Sequence, residues 1–203
     1  MNEFDIKAPD WDMNPIHLER SRAIAEILKK AIPEGKNMTA LEFGAGSGLL
    51  SLMLQNHLKE ITLMDSSEGM INVSKEKIAE GKFENLKTVH LNLEKDAFTA
   101  NYDLIFSQMV FHHVEDIDGI LLKFHSLLNP GGFLAIADLY PENGSFHGDG
   151  FTGHWGFDPK ELSAKLSAHG FRNISYQECF VIKKALAGRE TKEYPVFLMM
   201  ANN

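Results

Sequence analysis

Thr39 to Phe43 is a short apolar run that stops at Gly44-Ala45-Gly46-Ser47-Gly48 and resumes as a helical stretch over Leu49 to Leu58. Strand, glycine turn and helix in that order confine the chain to a small group of α/β folds. Glycines carry no β-carbon, so the backbone can turn tightly and let a ligand lie against its amides. Taken alone, the triplet also fits a tight turn that binds nothing.

The unit repeats. Ile61 to Met64 reads as a strand, Ser66 or Ser67 as the cap of a helix running to about Gly81, and Lys87 to Leu91 as the next strand. Tyr102 to Ser107 and Phe133 to Asp138 add two more, separated by a helix whose inner face is Ile117, Ile120, Leu121, Phe124, Leu127 and Leu128, ended by Asn129-Pro130-Gly131-Gly132. Strands alternating with helices imply parallel pairing through right-handed crossovers. An amphipathic helix, capped by Asn14 and Pro15 and stopped by Pro33, opens the fold; Asp158 and Pro159 cap a last helix that ends at Gly170. Two strands near 174–182 and 194–201 have only a short polar connection and should pair antiparallel. The expected fold is a doubly wound, mostly parallel, seven-stranded α/β sheet with an antiparallel edge strand. Residues 1–203 are expected to form one domain: 1–36 an N-terminal helix and lid, 37–138 a cofactor-binding core, 139–203 a substrate loop with the final helix and strands.

Composition narrows the function. The formal net charge is −8 and no stretch gathers lysines and arginines without interleaved acids, so nucleic acid is a disfavoured partner. Cys179 is the single cysteine, which excludes an intrachain disulfide and multi-cysteine zinc sites and fits a reducing cytoplasm. Met1 to Asp10 lacks the basic and apolar parts of a signal peptide, and the longest apolar runs are strand-sized, so no membrane association is expected.

In an open α/β sheet, ligands bind beyond the carboxyl ends of the strands, where strand order reverses. Two acids stand there: Glu42 near the end of the first strand, and Asp65 at the end of the second. A carboxylate at the second place can accept both hydrogen bonds of a ribose diol. Its plainer role is to cap a helix.

The chain resembles the class I S-adenosylmethionine-dependent methyltransferases, in the branch that modifies small molecules. The resemblance rests on Leu41-Glu42-Phe43-Gly44-Ala45-Gly46-Ser47-Gly48, Met64-Asp65-Ser66-Ser67 with Met70-Ile71, Phe111-His112-His113 with Asp116, and Leu128-Asn129-Pro130-Gly131-Gly132-Phe133. It implies S-adenosylmethionine as cofactor, with the backbone of Gly44, Ala45 and Gly46 holding the methionine part, Glu42 close by, and Asp65 on the ribose hydroxyls. Ser66 and Met70 would flank the adenine, with Asn92 standing where the family often has an acid and Leu93 beside it. Ser107 and Gln108 would lie near the amino-acid end. The proline-aromatic or cysteine motif of the family's nucleic-acid enzymes is absent from Ser107-Gln108-Met109-Val110, which favours a small-molecule acceptor.

Methyl transfer from an activated sulfonium chiefly needs alignment and exclusion of water. If the acceptor must lose a proton, His112 is the candidate general base, because histidine titrates near neutral pH and this position follows the fourth strand. A role in packing or capping competes equally. The long segment from Leu139 to Phe157 shows neither helical nor strand period, and a loop of that length in a compact domain is usually functional. Trp11, His112, His147, His154 and Trp155 are the expected acceptor contacts. Asp138, His147, Asp149 and His154 are able to gather round a metal, but a loop without metal is the expectation.

Two other readings stay open. A nicotinamide-dependent oxidoreductase shares the glycine loop and distant acid, although Leu49 occupies the place of its third glycine. A cofactor-binding domain without activity is the other.

Overall fold

A computed structural model describes residues 3–32, 35–185 and 191–203. The seven apolar runs form β1 (Thr39–Phe43), β2 (Glu60–Asp65), β3 (Leu86–His90), β4 (Tyr102–Gln108), β5 (Leu128–Leu139), β6 (Arg172–Ala185) and β7 (Thr191–Asn202) in one sheet of order β3-β2-β1-β4-β5-β7-β6. The first five strands pair in parallel, and the antiparallel edge consists of β7, reversed against β5, with β6 outside it.

Side-chain alternation along the strands decides what each face meets. Ala40, Leu104 and Phe106 pack with Ile24 and Leu28 of α2 (Pro15–Ala31) and with Leu50 and Leu54 of α3 (Leu49–Leu54). Leu41, Phe43 and Ile105 face the other way, against Ile120 and Phe124 of α5 (Ile117–Leu127) and Leu162 and Leu166 of α6 (Pro159–Ala168). Burying one such side chain contributes about 1.5–3 kcal/mol, so the two apolar layers hold the loops at the strand ends in place.

The helix signals act through local hydrogen bonds. Asn14 accepts the Ile16 amide at 3.1 Å with Pro15 in the first helical position, and Asp158 accepts that of Lys160 at 2.7 Å. Ser67, rather than Ser66, caps α4 (Glu68–Gly81) by accepting the Met70 amide at 3.2 Å. The Pro33 stop signal lies outside the described residues.

Several features differ from the sequence reading. The helix after the glycine loop ends at Leu54, not Leu58. The strand expected from Phe133 begins at Leu128, because Leu128 pairs with Tyr102 before Asn129 to Gly132 bulge out and pairing resumes at Leu104 and Phe133. Ahead of α2, the polar start of the chain forms α1 (Glu3–Lys7) and a 3-10 turn (Ala8–Met13). Among the described residues no helix is long and apolar enough to cross a membrane.

Candidate active site

A cavity of about 370 Å³ opens beyond the carboxyl ends of β1, β2 and β4. Gly44, Ala45 and Gly46 form one wall, and Asp65, Ser66, Met70, Asn92 and Leu93 line the side beneath β2 and β3. Phe4, Lys7 and Trp11 from the N-terminal segment close over it, with His17 and Arg20 of α2 behind. Gln108, Met109, His112, His113, Phe146 and His147 line the remaining side.

The glycine loop has the shape that its sequence requires. Gly44 has φ +67°, and a β-carbon there would stand 2.4 Å from Val110 Cγ2. A β-carbon on Gly46, at φ +54°, would meet nothing closer than Met70 Sδ and Trp11 Nε1 at 3.9 Å, so this backbone is open to the cavity. Asp65 pins the loop: one carboxylate oxygen accepts the Gly46 amide at 2.7 Å and the other the Ser67 amide at 2.8 Å. Burial pushes the Asp65 carboxyl above its usual range, against those amides, which favour the charged form.

The N-terminal segment is fastened at both ends. Asp5 accepts from Ser67 Oγ at 2.6 Å and from the Gly69 amide at 3.1 Å. Asp12 accepts from Ser47 Oγ and pairs with Lys77. Trp11 is thereby laid over Gly46, its indole 4.2 Å from the His17 ring.

Several expected site residues lie elsewhere. Glu42 does not line the cavity: it alternates with Leu41 and Phe43, so its side chain points under α3, where Oε2 accepts from Ser51 Oγ and, at 3.2 Å, from the Ser51 amide. Its Oε1 has no partner among the described residues, and burial pushes the carboxyl up to about 8. Ser107 alternates away from the cavity on β4, buried and without a partner for its hydroxyl. His154 is turned from the cavity, its Nε2 bonded to the Val114 carbonyl at 3.0 Å. Trp155 is 54% exposed and covers Gly144 instead. Asn92 does line the cavity, but its side-chain carbonyl already accepts the Glu94 amide at 3.0 Å.

Arg20 and Met109 also line the cavity and carried no role in the sequence reading. Arg20 is buried and, among the described residues, makes no hydrogen bond and no ion pair; its Nε is without a partner. Burial lowers its guanidinium to about 10, with Asp138 opposing that shift. A legible signal was present: Arg20 precedes Ile24 and Leu28 at four-residue intervals, on the buried stripe of α2. Gln108 reaches Ser21 Oγ at 2.9 Å, and Met109 holds φ +56°, a strained backbone that turns the chain at the cavity's edge.

On the far side, His112 Nδ1 lies 2.7 Å from Asp138 Oδ1, both side chains buried. Asp138 also accepts the amides of His112 at 3.3 Å and Leu139 at 2.7 Å. His113 and His147 stand beside His112, with ring centroids 4.3 and 4.9 Å away. Burial lowers both rings to about 4, and the neighbouring His112 adds to each shift. The four residues Asp138, His147, Asp149 and His154 do not converge, because Asp138 is taken by His112 and His154 by Val114.

A family model described as a methyltransferase domain matches residues 41–134, the stretch that carries β1 to β5 and the glycine loop. An uncharacterized methyltransferase of Schizosaccharomyces pombe is 29% identical over 167 residues, covering 74% of this chain and 57% of the relative. A ubiquinone biosynthesis O-methyltransferase of Coxiella burnetii is 31% identical over 145 residues, covering 68% and 60%. The chain thus spans under two thirds of the length of these relatives. In fold it is similar to one chain of a Haloferax volcanii complex between the Trm112 methyltransferase activator and a methyltransferase, with TM-score 0.78, 17% identity and coverage of 100% of this chain and 98% of that one. A SAM-dependent methyltransferase from Aquifex aeolicus gives TM-score 0.66 at 21% identity, with 88% of each chain covered. With the glycine loop, the acid after β2 and the reversed strand β7 in place, residues 41–134 match the methyltransferase-domain family, and the chain is similar in sequence and in fold to methyltransferases, S-adenosylmethionine-dependent ones among them.

Proposed function

We propose that this chain, read as one domain over residues 1–203, transfers a methyl group from S-adenosylmethionine to a small-molecule acceptor. The observation that carries the reading is the buried, unpaired Arg20 lining the same cavity as the open backbone of Gly46. A buried guanidinium without a carboxylate partner is costly, and the α-carboxylate of an amino-acid ligand would complete it. When bound, S-adenosylmethionine supplies an electrophilic methyl group on a sulfonium centre.

The chain's own residues divide the remaining work. Gly44 to Gly46 and Arg20 would hold the amino-acid end, Asp65 the ribose, and Ser66, Met70, Asn92 and Leu93 the adenine. Trp11 and Phe4 exclude water from above, which strengthens every electrostatic contact inside. Asp138 accepts the Nδ1 proton of His112, leaving the Nε2 lone pair to take a proton from the acceptor.

The net charge of −8 supports a small acceptor over a nucleic acid. The named relative from Coxiella, a ubiquinone biosynthesis O-methyltransferase, supports the same acceptor class. The nicotinamide reading loses its ground with the similarity to methyltransferases, and an inactive binding domain is the remaining rival. Incubation with labelled S-adenosylmethionine and fractionated cell metabolites, followed by mass spectrometry, tests the proposal. A labelled small molecule is expected; tight cofactor binding with no labelled product in any fraction would select the inactive domain.

A further inference from the structure

Three imidazoles from two separate segments meet at the cavity wall. His112 and His113 come from the turn Phe111–His113 after β4, and His147 from the loop after β5. Each offers one ring nitrogen, and the three nitrogens lie within 4.8 Å of one another. Among the described residues no hydrogen bond links these three rings to each other.

The approach is built by the backbone. His154 donates its amide to the His112 carbonyl at 2.8 Å, which draws the loop down onto the turn. Gly153 permits this, since a β-carbon there would stand 2.2 Å from the same carbonyl oxygen. Phe151 stacks on His147 at 3.9 Å and Phe4 meets His113 edge-on at 5.3 Å, so both rings are held. Behind His112 stands Asp138, a carboxylate on the far ring nitrogen, the arrangement that orients a metal-ligating histidine and raises its basicity.

We propose that His112, His113 and His147 bind one divalent transition-metal ion of the zinc class, leaving a coordination position open to the cavity. Three imidazoles with an open fourth place form a catalytic rather than a structural zinc set. All-nitrogen ligation disfavours magnesium and calcium, which require oxygen. At Zn–N distances of about 2.0–2.1 Å the three nitrogens stand about 3.3 Å apart, so on binding no pair needs to close by more than about 1.5 Å.

The consequence for chemistry rests on the acceptor reading above, although metal binding does not. An acceptor S–H or O–H taken as the fourth ligand loses its proton to solvent on coordination. The ion then replaces His112 as the agent of deprotonation, and the acceptor class narrows to thiols, alcohols and phenols.

The test uses the full chain, stripped with a chelator and titrated with zinc chloride by calorimetry, then with cobalt(II) for the visible bands of a tetrahedral site. One equivalent is expected to bind wild type. Binding should be lost in His113→Gln and His147→Gln, weakened about ten- to hundredfold in Asp138→Asn, and unchanged in His125→Gln, outside the cluster. Binding of S-adenosylhomocysteine by each variant reports folding and the cofactor pocket separately. Failure of zinc to bind a wild-type chain that binds S-adenosylhomocysteine, or zinc affinity unchanged from wild type in both histidine variants, overturns the site. Zinc bound with no affinity for the nucleoside overturns the cofactor reading instead.

Discussion

The carboxylate of Asp65 accepts the amide of Gly46 at 2.7 Å, so the acid at the end of β2 braces the glycine loop that ends β1. Each Asp65 oxygen already receives one backbone N–H, and its second lone pairs are what remain for a ribose. The same side chain therefore shapes the wall of the cavity and offers charge to a ligand within it.

Asp65→Ala is expected to weaken S-adenosylhomocysteine binding roughly 10- to 150-fold, the equivalent of about 1.5–3 kcal/mol for hydrogen bonds to a charged group. The melting temperature should fall as well, because the Gly46 and Ser67 amides lose their acceptor. Calorimetry and thermal melts check both. Unchanged nucleoside affinity would remove Asp65 from the ribose role.

Arg20→Met should separate binding from stability. The guanidinium is buried without a carboxylate partner, so an apolar chain of similar length leaves the ligand-free protein as stable or more so. Affinity for S-adenosylhomocysteine should drop roughly 10- to 150-fold, whereas adenosine, which lacks the amino-acid end, should bind as before. Equal losses for both ligands would place Arg20 outside the carboxylate site.

Glu42 sets a pH dependence of the ligand-free chain. Its carboxyl titrates at about 8 when folded against an ordinary 4.5, so the folded state holds the proton more tightly than the unfolded state. The stability from that proton is complete below 4.5, declines as pH rises, and is gone above about 8. Wild type should lose stability relative to Glu42→Gln between pH 5 and 9, on the order of a few kcal/mol. Parallel denaturation curves of the two proteins across that range would contradict this.

The two tryptophans should report differently on the cavity. Trp11 lines it and Trp155 is 54% exposed outside it. Ligand-induced change in emission should survive in Trp155→Phe and disappear in Trp11→Phe, as read by fluorescence titration with S-adenosylhomocysteine.

Local patterns carried the fold. Short apolar runs marked β1, β2 and β4, helical spacing marked α2 and α5, and Asn14, the serine pair Ser66-Ser67 and Asp158 announced their helices, because each depends on neighbours a few bonds away. The two-residue alternation of side chains along any strand would have turned Glu42 away from the cavity, since it stands between two residues of the opposite face.

By itself the amino-acid sequence determined the strand–helix succession, the glycine turn, the acid after β2 and the resemblance to methyltransferases. Only tertiary structure decided which polar groups share the cavity. It brought Arg20 inward on the apolar stripe of α2, turned His154 and Trp155 outward, and set His147 beside His112 and His113. Regular elements repeat a spacing that can be read along the chain, whereas the loop from 140 to 157 has no period. The placement of each of its side chains depends on long-range contacts, such as the His154 amide on the His112 carbonyl, that form only once the sheet has brought both segments to one edge.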